Sequence, residues 1–462
     1  MSVSLNSGLA QSELTSQYHK QVAEVLRNNT RGEGLKDGKH SLSTENIVNA
    51  SQTVPGFEDS LSPQDTADII YAFSDSPQAP ADQFSEAQKN RIRDNIQHFS
   101  DVAKLKFRES TNAASSHIQF KVDNGSFAWK DPYYVSATNG AQGSVDIPLL
   151  QRHAKALENP NNYASHVIAK ALAFKLGLPA TNSVAGVKGA HENTLAYSLR
   201  SPYSEVRTGH RFGKVHLSDQ YASTPMMDDI ALLQKKFGAN HEARSSDTTY
   251  GFNSNADRET FRLKSPADLP VFCVWDGGGK DTFDFSEYAE DQLINLTQGG
   301  FSNIGGGKGN VSIAQGAHIE RAIGGKGNDL IIGNERDNEL MGGEGDDILY
   351  VTANSGFNKL WGGPGKNTFV IGASEPSATL ENTMINDFVS GKDKLDVSAL
   401  RAASGKPALK VVANYTGEGG EVTIDYFESQ NTSLLRFDIN GDGKVDCMLS
   451  VEGRIALTDI IG

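Results

Sequence analysis

The run Gly324-Gly325-Lys326-Gly327-Asn328-Asp329-Leu330-Ile331-Ile332 constrains this chain more than any other stretch, and it is echoed at Gly342-Gly343-Glu344-Gly345-Asp346-Asp347-Ile348-Leu349-Tyr350. Both copies read Gly-Gly-x-Gly-x-Asp-x-U-x, with U a large apolar residue, a repeat that stacks into a parallel β-roll and binds Ca²⁺ between turns. Glycine permits the positive-φ turn, and aspartate offers the hard anionic oxygen that calcium prefers. Walking the frame, Gly333 to Met341 stays in register but puts Asn338 at the aspartate position. Val351 to Trp361 is longer and carries Asn358 there, and Gly362 to Val370 keeps its glycines with Asn367. Asparagine brings a carbonyl oxygen without charge, so these later half-sites should bind more weakly. A flexible Gly-rich linker would not hold Ile331, Leu340, Leu349, Leu360 and Phe369 at the eighth position.

Composition agrees with a cation-binding chain. With 43 basic and 57 acidic residues the net charge is −14, which argues against nucleic acid as a partner. A chain of 462 residues is long enough for two or three domains. It has no long apolar run, so no membrane span is expected. The start, Met1 to Gly8, lacks the basic and apolar regions of a signal peptide. Weak calcium sites, in contrast, fill outside the cell. Export of an unfolded chain by a one-step type I apparatus meets both points: it reads a C-terminal signal, and folding follows on external calcium. Ala456 to Gly462, acidic and then apolar, suits such a signal. Cys273 and Cys447 are expected as free thiols, although sequence alone leaves a bridge open.

Helical spacing predicts Ser12–Arg27, carrying Leu14, Val22 and Val25. It also predicts Ser85–Ala103, capped by Ser85 and carrying Ile92, Ile96, Phe99 and Val102, and Tyr163–Leu176, carrying Val167, Ile168, Ala171, Leu172 and Leu176. Leu105–Glu109 and His117–Val122 alternate as strands do. From Asp247 onward short strands separated by Gly, Asn and Asp take over, placing a domain boundary near residues 240–250. Gly277-Gly278-Gly279-Lys280 and Gly305-Gly306-Gly307-Lys308 lack the strand–loop–helix setting of a phosphate loop and are set aside.

Tyr221 to Ile230, Gly238-Ala239-Asn240, Asp247 to Asn255 and the stretch from Trp275 through the repeats resemble the serralysin family, secreted zinc metalloproteases of the metzincin clan. The resemblance implies an α+β zincin-like (metzincin) N-terminal domain followed by an all-β C-terminal domain with a parallel β-roll and a β-sandwich. It implies a propeptide-like polar segment at 1–30, a protease domain at 31–248, a calcium-binding roll at 249–375 and a C-terminal β-domain with the secretion signal at 376–462. Such enzymes use His-Glu-x-x-His-x-x-Gly-x-x-His. The matching stretch runs from His166 to Leu176, and only His166 agrees. Val167 stands where the general base belongs, Lys170 and Leu176 where the other two ligands belong, and Ala173 where a glycine bends the chain. In the Met-turn, Arg200 replaces methionine and Pro202 replaces tyrosine. His191, His210 and His216, with Glu192, lie nearby as donors for a rebuilt site, which would need tetrahedral convergence.

These replacements lead to the expectation of a secreted calcium-binding protein that has lost its zinc-protease centre. It would not be an enzyme, it would lack zinc, and it would bind a protein partner (host or protease-related) as a virulence effector or modulator. The alternatives are a weak or altered zinc metalloendopeptidase using displaced ligands, and a structural calcium-dependent extracellular protein. By resemblance, one calcium ion would lie between Arg244, Ser246, Thr248 and Asp276, Gly278, Asp281. A neighbour would use Gly279, Asp281 and Glu320, with His318 where the family has threonine. Further ions would sit between Gly325, Gly327, Asp329 and Gly342, Gly343, Glu344, Gly345, Asp347, with Asn334, Arg336 and Asn338 as another half-site. Asp438, Asn440, Asp442 and Asp446 have EF-hand spacing, but Leu449 stands at the twelfth position, so a calcium loop and a plain hairpin turn both stay open.

Overall fold

The computed structural model describes residues 3–5, 16–52, 67–73, 83–113, 116–123, 145–150, 157, 162–214, 220–353, 355–373 and 382–462. Helix α1, Gln17–Asn29, starts from Ser16, whose hydroxyl accepts the His19 amide at 3.0 Å. It runs two residues past the predicted end, and residues 12–15 lie outside those described. Tyr18, Val22, Val25 and Leu26 recur at helical spacing and pack on Leu330, Ile332, Tyr350 and Val370 of the repeat region. A segment that looked polar therefore carries the apolar stripe that covers one face of the repeats.

Helix α2 spans Thr44–Gln52 and α3 spans Glu86–Val102. Ser85 and Gln88 close a capping box at the start of α3, with Ile92, Ile96 and Phe99 fully buried below it. Helix α4, Tyr163–Lys175, is capped by Asn162, which accepts the Ser165 amide at 2.8 Å. It continues through Ala173 and stops at Leu176, where Gly177 turns away at φ 84°. Helix α5 spans Met227–Phe237 and the short α6 Ser398–Ala403. Strands Leu105–Glu109, Ala67–Phe73, Ile118–Asp123 and Val145–Leu150 lie in that order, all parallel, beside α3 and α4.

From Thr249 the chain winds between two parallel sheets. One holds Thr249–Gly251, Thr282–Asp284, Arg321–Ile323, Glu339–Met341, Lys359–Trp361 and Asn382–Ile385. The other holds Leu293–Asn295, Leu330–Ile332, Ile348–Thr352, Thr368–Gly372, Lys394–Asp396 and Ile460–Ile461. Ile331, Leu340, Leu349, Leu360 and Phe369, the eighth-position residues, are all 0% exposed between them. Gly345 sits at φ 115°, and a side chain there would come 2.8 Å from the Gly327 carbonyl carbon, so the turns stack only as glycine.

The expected closing β-sandwich takes a different form. Asn382–Ile385 pairs in parallel with Cys447–Glu452, so the last strands, with Val3–Leu5 added at the far edge, extend the first roll sheet to eleven strands. Cys273 and Cys447 are both buried and free. Among the described residues no helix is long and apolar enough to cross a membrane.

Candidate functional site

Helix α4 places His166 and Lys170 one turn apart on its buried side. His166 Nδ1 lies 2.9 Å from the Ala222 carbonyl. A carbonyl only accepts, so Nδ1 carries the proton and Nε2 keeps its lone pair. Burial, then the Lys170 ammonium, push the His166 pKa down to about 4, so the ring is neutral. The Lys170 ammonium donates to the Ser201 carbonyl at 3.3 Å. Leu176 is in the core, and Val167 and Pro202 are half-buried.

Arg200 is 0% exposed, and the Met-turn segment closes around it. It donates Nε to Asp229 Oδ1 at 2.8 Å and Nη1 to the Pro179 carbonyl. Asp229, at the start of α5, also accepts the Ser198 hydroxyl at 2.7 Å and the amides of Leu199 and Met226 at 2.7 and 3.1 Å. Positions 166, 170 and 176 thus offer one imidazole, one ammonium and one hydrocarbon. That set does not fit tetrahedral zinc, so no catalytic step is routed through a metal on α4.

The other histidines fall elsewhere. His191 is buried, and its Nδ1 has no hydrogen-bond partner, lying 3.5 Å from Asp37 Oδ2. His210 Nδ1 is 2.8 Å from Thr208 Oγ1. Burial, then His191 and Lys308, lower the His210 pKa to about 3. Both rings line one cavity of about 770 Å³ with Asp37, Tyr197 and Lys308. Glu192 is committed to the neighbouring hairpin, accepting the Ser41 hydroxyl at 2.6 Å and the Leu42 amide at 2.8 Å. His216 lies outside the described residues. Among the described residues no three His, Cys, Asp or Glu side chains close round one point as a metal cluster. A calcium site can draw instead on backbone carbonyls.

Carboxylates without cationic partners collect in the roll loops. Asp276 Oδ1 accepts the Gly278 amide at 2.9 Å and Oδ2 the Tyr250 hydroxyl at 2.5 Å. Asp281 accepts the Thr248 amide at 2.7 Å, and Glu320 accepts the Asp281 amide at 2.8 Å. With Gly278, Gly279, His318 and Arg336 these acids line a cavity of about 260 Å³. Burial and the charge of Asp276 push Asp281 up to about 9, and burial raises Glu320. A divalent cation relieves that repulsion. Gly279, at φ 134°, lets the Ser246 backbone approach; a Cβ there would stand 2.7 Å from it. The Ser246 carbonyl also accepts the Thr248 hydroxyl at 2.8 Å.

Arg244, in a left-handed conformation at φ 50°, joins this loop to the N-terminal half. Its guanidinium reaches the Tyr250 hydroxyl at 3.0 Å, the Trp275 carbonyl at 2.7 Å and Asp101 of α3 at 2.8 Å. Burial works to raise the Asp101 pKa, but Arg244 and Arg258 hold it below the ordinary carboxylate value.

In the repeats, Asp329 accepts the amides of Gln292 at 2.8 Å and Gly325 at 2.5 Å. Asp347 Oδ1 accepts the Asp329 amide at 2.8 Å, while its buried Oδ2 has no partner. Burial, with the charge of Asp329, pushes Asp347 up to about 7, and burial pushes Asp329 up to about 6. An orphaned buried carboxylate oxygen is the donor a calcium ion fits. Gly343 and Gly345 turn at positive φ above residues 325 and 327, the Gly342 amide bonds Trp361, and the Glu344 amide bonds the Gly325 carbonyl at 2.9 Å. Asn334, Arg336 and Asn338 come together in one turn on the opposite side of the roll, where the Asn338 amide group donates to the Asn334 carbonyl at 3.1 Å.

The EF-hand-like loop joins the antiparallel strands Thr432–Asp438 and Cys447–Glu452. Asp438 accepts the Gly441 and Gly443 amides, Asp446 accepts those of Ile439 and Asn440, Asn440 accepts that of Asp442, and Asp442 that of Lys444. Sequence reading missed Asp387 and Asp393. Asp387 accepts the Gly362 and Gly363 amides at 2.8 and 2.7 Å, and Asp393 accepts the Asn367 amide at 2.9 Å. Their acidic spacing continues the repeat, but an insertion breaks the nine-residue frame before them.

The chain is 37% identical over 455 residues to the Metalloprotease AprA of Pseudomonas entomophila, covering 93% of this chain and 92% of that protein. It is 33% identical over 472 residues to Serralysin C of Dickeya chrysanthemi, covering 96% and 95%. It is 38% identical over 381 residues to the Serralysin of Photorhabdus laumondii, covering 79% and 77%. The family described as Peptidase M10 serralysin C terminal matches residues 239–462.

These findings correct the expectation of an inactive binding protein that is not an enzyme. Relatives aligned along almost the whole chain are named metalloproteases. The expectation rested on side chains of one helix and one turn, which report only the donors those segments supply. The expected absence of zinc falls with it. This chain belongs to the serralysin family.

Proposed function

We propose that this chain is an extracellular, calcium-loaded metalloendopeptidase with an altered metal centre, its ligands displaced from helix α4. Similarity to named metalloproteases over more than nine-tenths of two relatives carries the reading. His191, whose Nδ1 makes no hydrogen bond and lies 3.5 Å from Asp37, and His210 support displaced donors, because both line one cavity large enough for a peptide side chain. The parallel sheet beside α3 and α4 is the zincin-like N-terminal domain of this reading, and the protein partners are peptide substrates. Domain limits near 31–248, 249–375 and 376–462, and export by a type I apparatus through the C-terminal segment, belong to the same proposal.

Calcium is held by the main chain of Arg244, Ser246, Thr248, Gly278 and Gly279 with Asp276, Asp281 and Glu320. In the repeats it is held by the glycine-rich turns 325–329 and 342–347 with Asp329 and Asp347. The unpartnered Asp347 oxygen supports the repeat assignment.

The test is hydrolysis of casein and a quenched fluorescent peptide in excess calcium, with a zinc-selective chelator and zinc add-back. The reading expects slow cleavage, lost to chelator and restored by zinc. Cleavage no faster than a buffer blank at high protein concentration would sink it.

A further inference from the structure

The loops of the roll stack on both of its sides, and two pairs of stacked turns satisfy their buried polar atoms by different means. Where the turn of Asp347 stacks on that of Asp329 the two carboxylates bring only acceptors. Each carboxylate takes backbone amides, and Asp347 Oδ2 is left buried without a donor. Between these two turns no side chain donates to Asp347 Oδ2; one turn further on, Asn367 accepts the Asp347 amide at 3.1 Å and donates to the Gly363 carbonyl at 2.9 Å.

Across the roll, Asp281 and Glu320 precede the earlier strands, but in the next two turns the same position is asparagine, and its amide supplies the missing donors. Asn338 Nδ2 donates to the carbonyls of Asn334 and Arg336, the oxygens that the repeat pattern would aim at a cation, and to Asn358 Oδ1 at 3.0 Å. Asn358 Oδ1 also accepts the Asn338 amide at 3.1 Å, and Asn358 Nδ2 donates to the Gly356 carbonyl at 3.2 Å. Both asparagines are 0% exposed. The carbonyls are engaged, no uncompensated charge is buried, and a cation would have to break these bonds to enter. Arg336 adds a fixed positive charge to the same turn, its guanidinium 3.1 Å from His318. Residues 334, 336 and 338 therefore do not fit calcium, although the repeat frame includes them.

We propose that calcium loading of the roll is selective by turn: the stacked turns of Asp329 and Asp347 take the cation, and the stacked turns of Asn338 and Asn358 form a metal-independent amide ladder. This rests on the calcium reading above.

Full-length protein at saturating calcium and in calcium chelator, followed by hydrogen–deuterium exchange, tests it. Amides of 324–329 and 342–347 should lose protection on chelation by at least about tenfold, while those of 334–340 and 356–360 stay within about twofold. Equal loss in both pairs of turns overturns the proposal and leaves calcium binding intact. A calorimetric titration that shows no calcium heat overturns the calcium reading itself, and the two failures are distinct.

Asn338→Asp with Asn358→Asp replaces two amide donors by charge. It should raise calcium stoichiometry by one and make protection of 334–340 calcium-dependent; unchanged stoichiometry in the folded variant counts against the ladder. If that variant does not fold, the exchange pattern of the unaltered protein still decides.

Discussion

The cluster under helix α4 and the aspartate loops of the roll both bury charge, but only the first neutralises it from within. Arg200 meets Asp229, which also takes a hydroxyl and two amides, and Arg31 meets Asp228 at 2.8 Å. In the loops, Asp276, Asp281, Glu320, Asp329 and Asp347 face one another, backbone or the Tyr250 hydroxyl, and burial raises the pKa of each. A closed ion pair makes a lobe self-sufficient, whereas an open carboxylate set makes folding depend on something in solution.

Chelation should separate the two regions most. A ligand at a hundredfold its dissociation constant adds about 2.7 kcal/mol per site, so losing two sites should lower the melting temperature of the roll by on the order of 10 °C. Far-UV circular dichroism with and without calcium measures this, and an unchanged melt would erase the contrast.

Breaking the N-terminal pair comes next. Asp229→Ala strands Arg200 and three other donors and should cost about 3–5 kcal/mol. Arg200→Met should cost less, because Asp229 keeps Ser198, Leu199 and Met226. Urea unfolding of both variants ranks them, and the reverse order would show that the carboxylate is not the hub.

Acidification should move the two regions in opposite directions. His166 has a folded pKa of about 4, below the roughly 6.5 of an unfolded histidine. Its contribution is present above pH 6.5 and lost as pH falls toward 4. Asp347 is raised to about 7 from an unfolded value of about 3.9. In calcium-free protein its contribution is full below that value and lost as pH rises through about 7. Between pH 7 and 5 the calcium-free roll should therefore gain stability while the α4 region loses it. Melting curves with region-specific exchange would show parallel trends if this is wrong.

The smallest effect is at the distal hairpin. Asp442→Asn keeps the side-chain oxygen that accepts the Lys444 amide, so calcium stoichiometry should not change and stability should stay within about 0.5 kcal/mol. A lost ion would favour the EF-hand reading.

Much of the roll was legible in the sequence. Ile331, Leu340, Leu349, Leu360 and Phe369 lie where the nine-residue frame puts them, and Ser85 caps the helix that its spacing predicts. The stripe of α1 was harder to read, because its partners Leu330, Tyr350 and Val370 lie some three hundred residues away. At the candidate site the replacements at 167, 170 and 176 were plain, but the conclusion drawn from them was too broad. A missing donor on one helix says nothing of donors on another, and His191 and His210 share a cavity that no local spacing announces.

By itself the sequence determined the repeat: glycines where turns must tighten, an apolar residue once per turn, and which turns carry aspartate and which asparagine. These are properties of neighbouring residues, set by φ and by strand geometry. Only the tertiary structure decided what each buried polar atom meets. Arg200 finds Asp229, Asn338 finds Asn358 and Asp347 Oδ2 finds no protein donor, because those partners are brought together by winding and packing of distant segments.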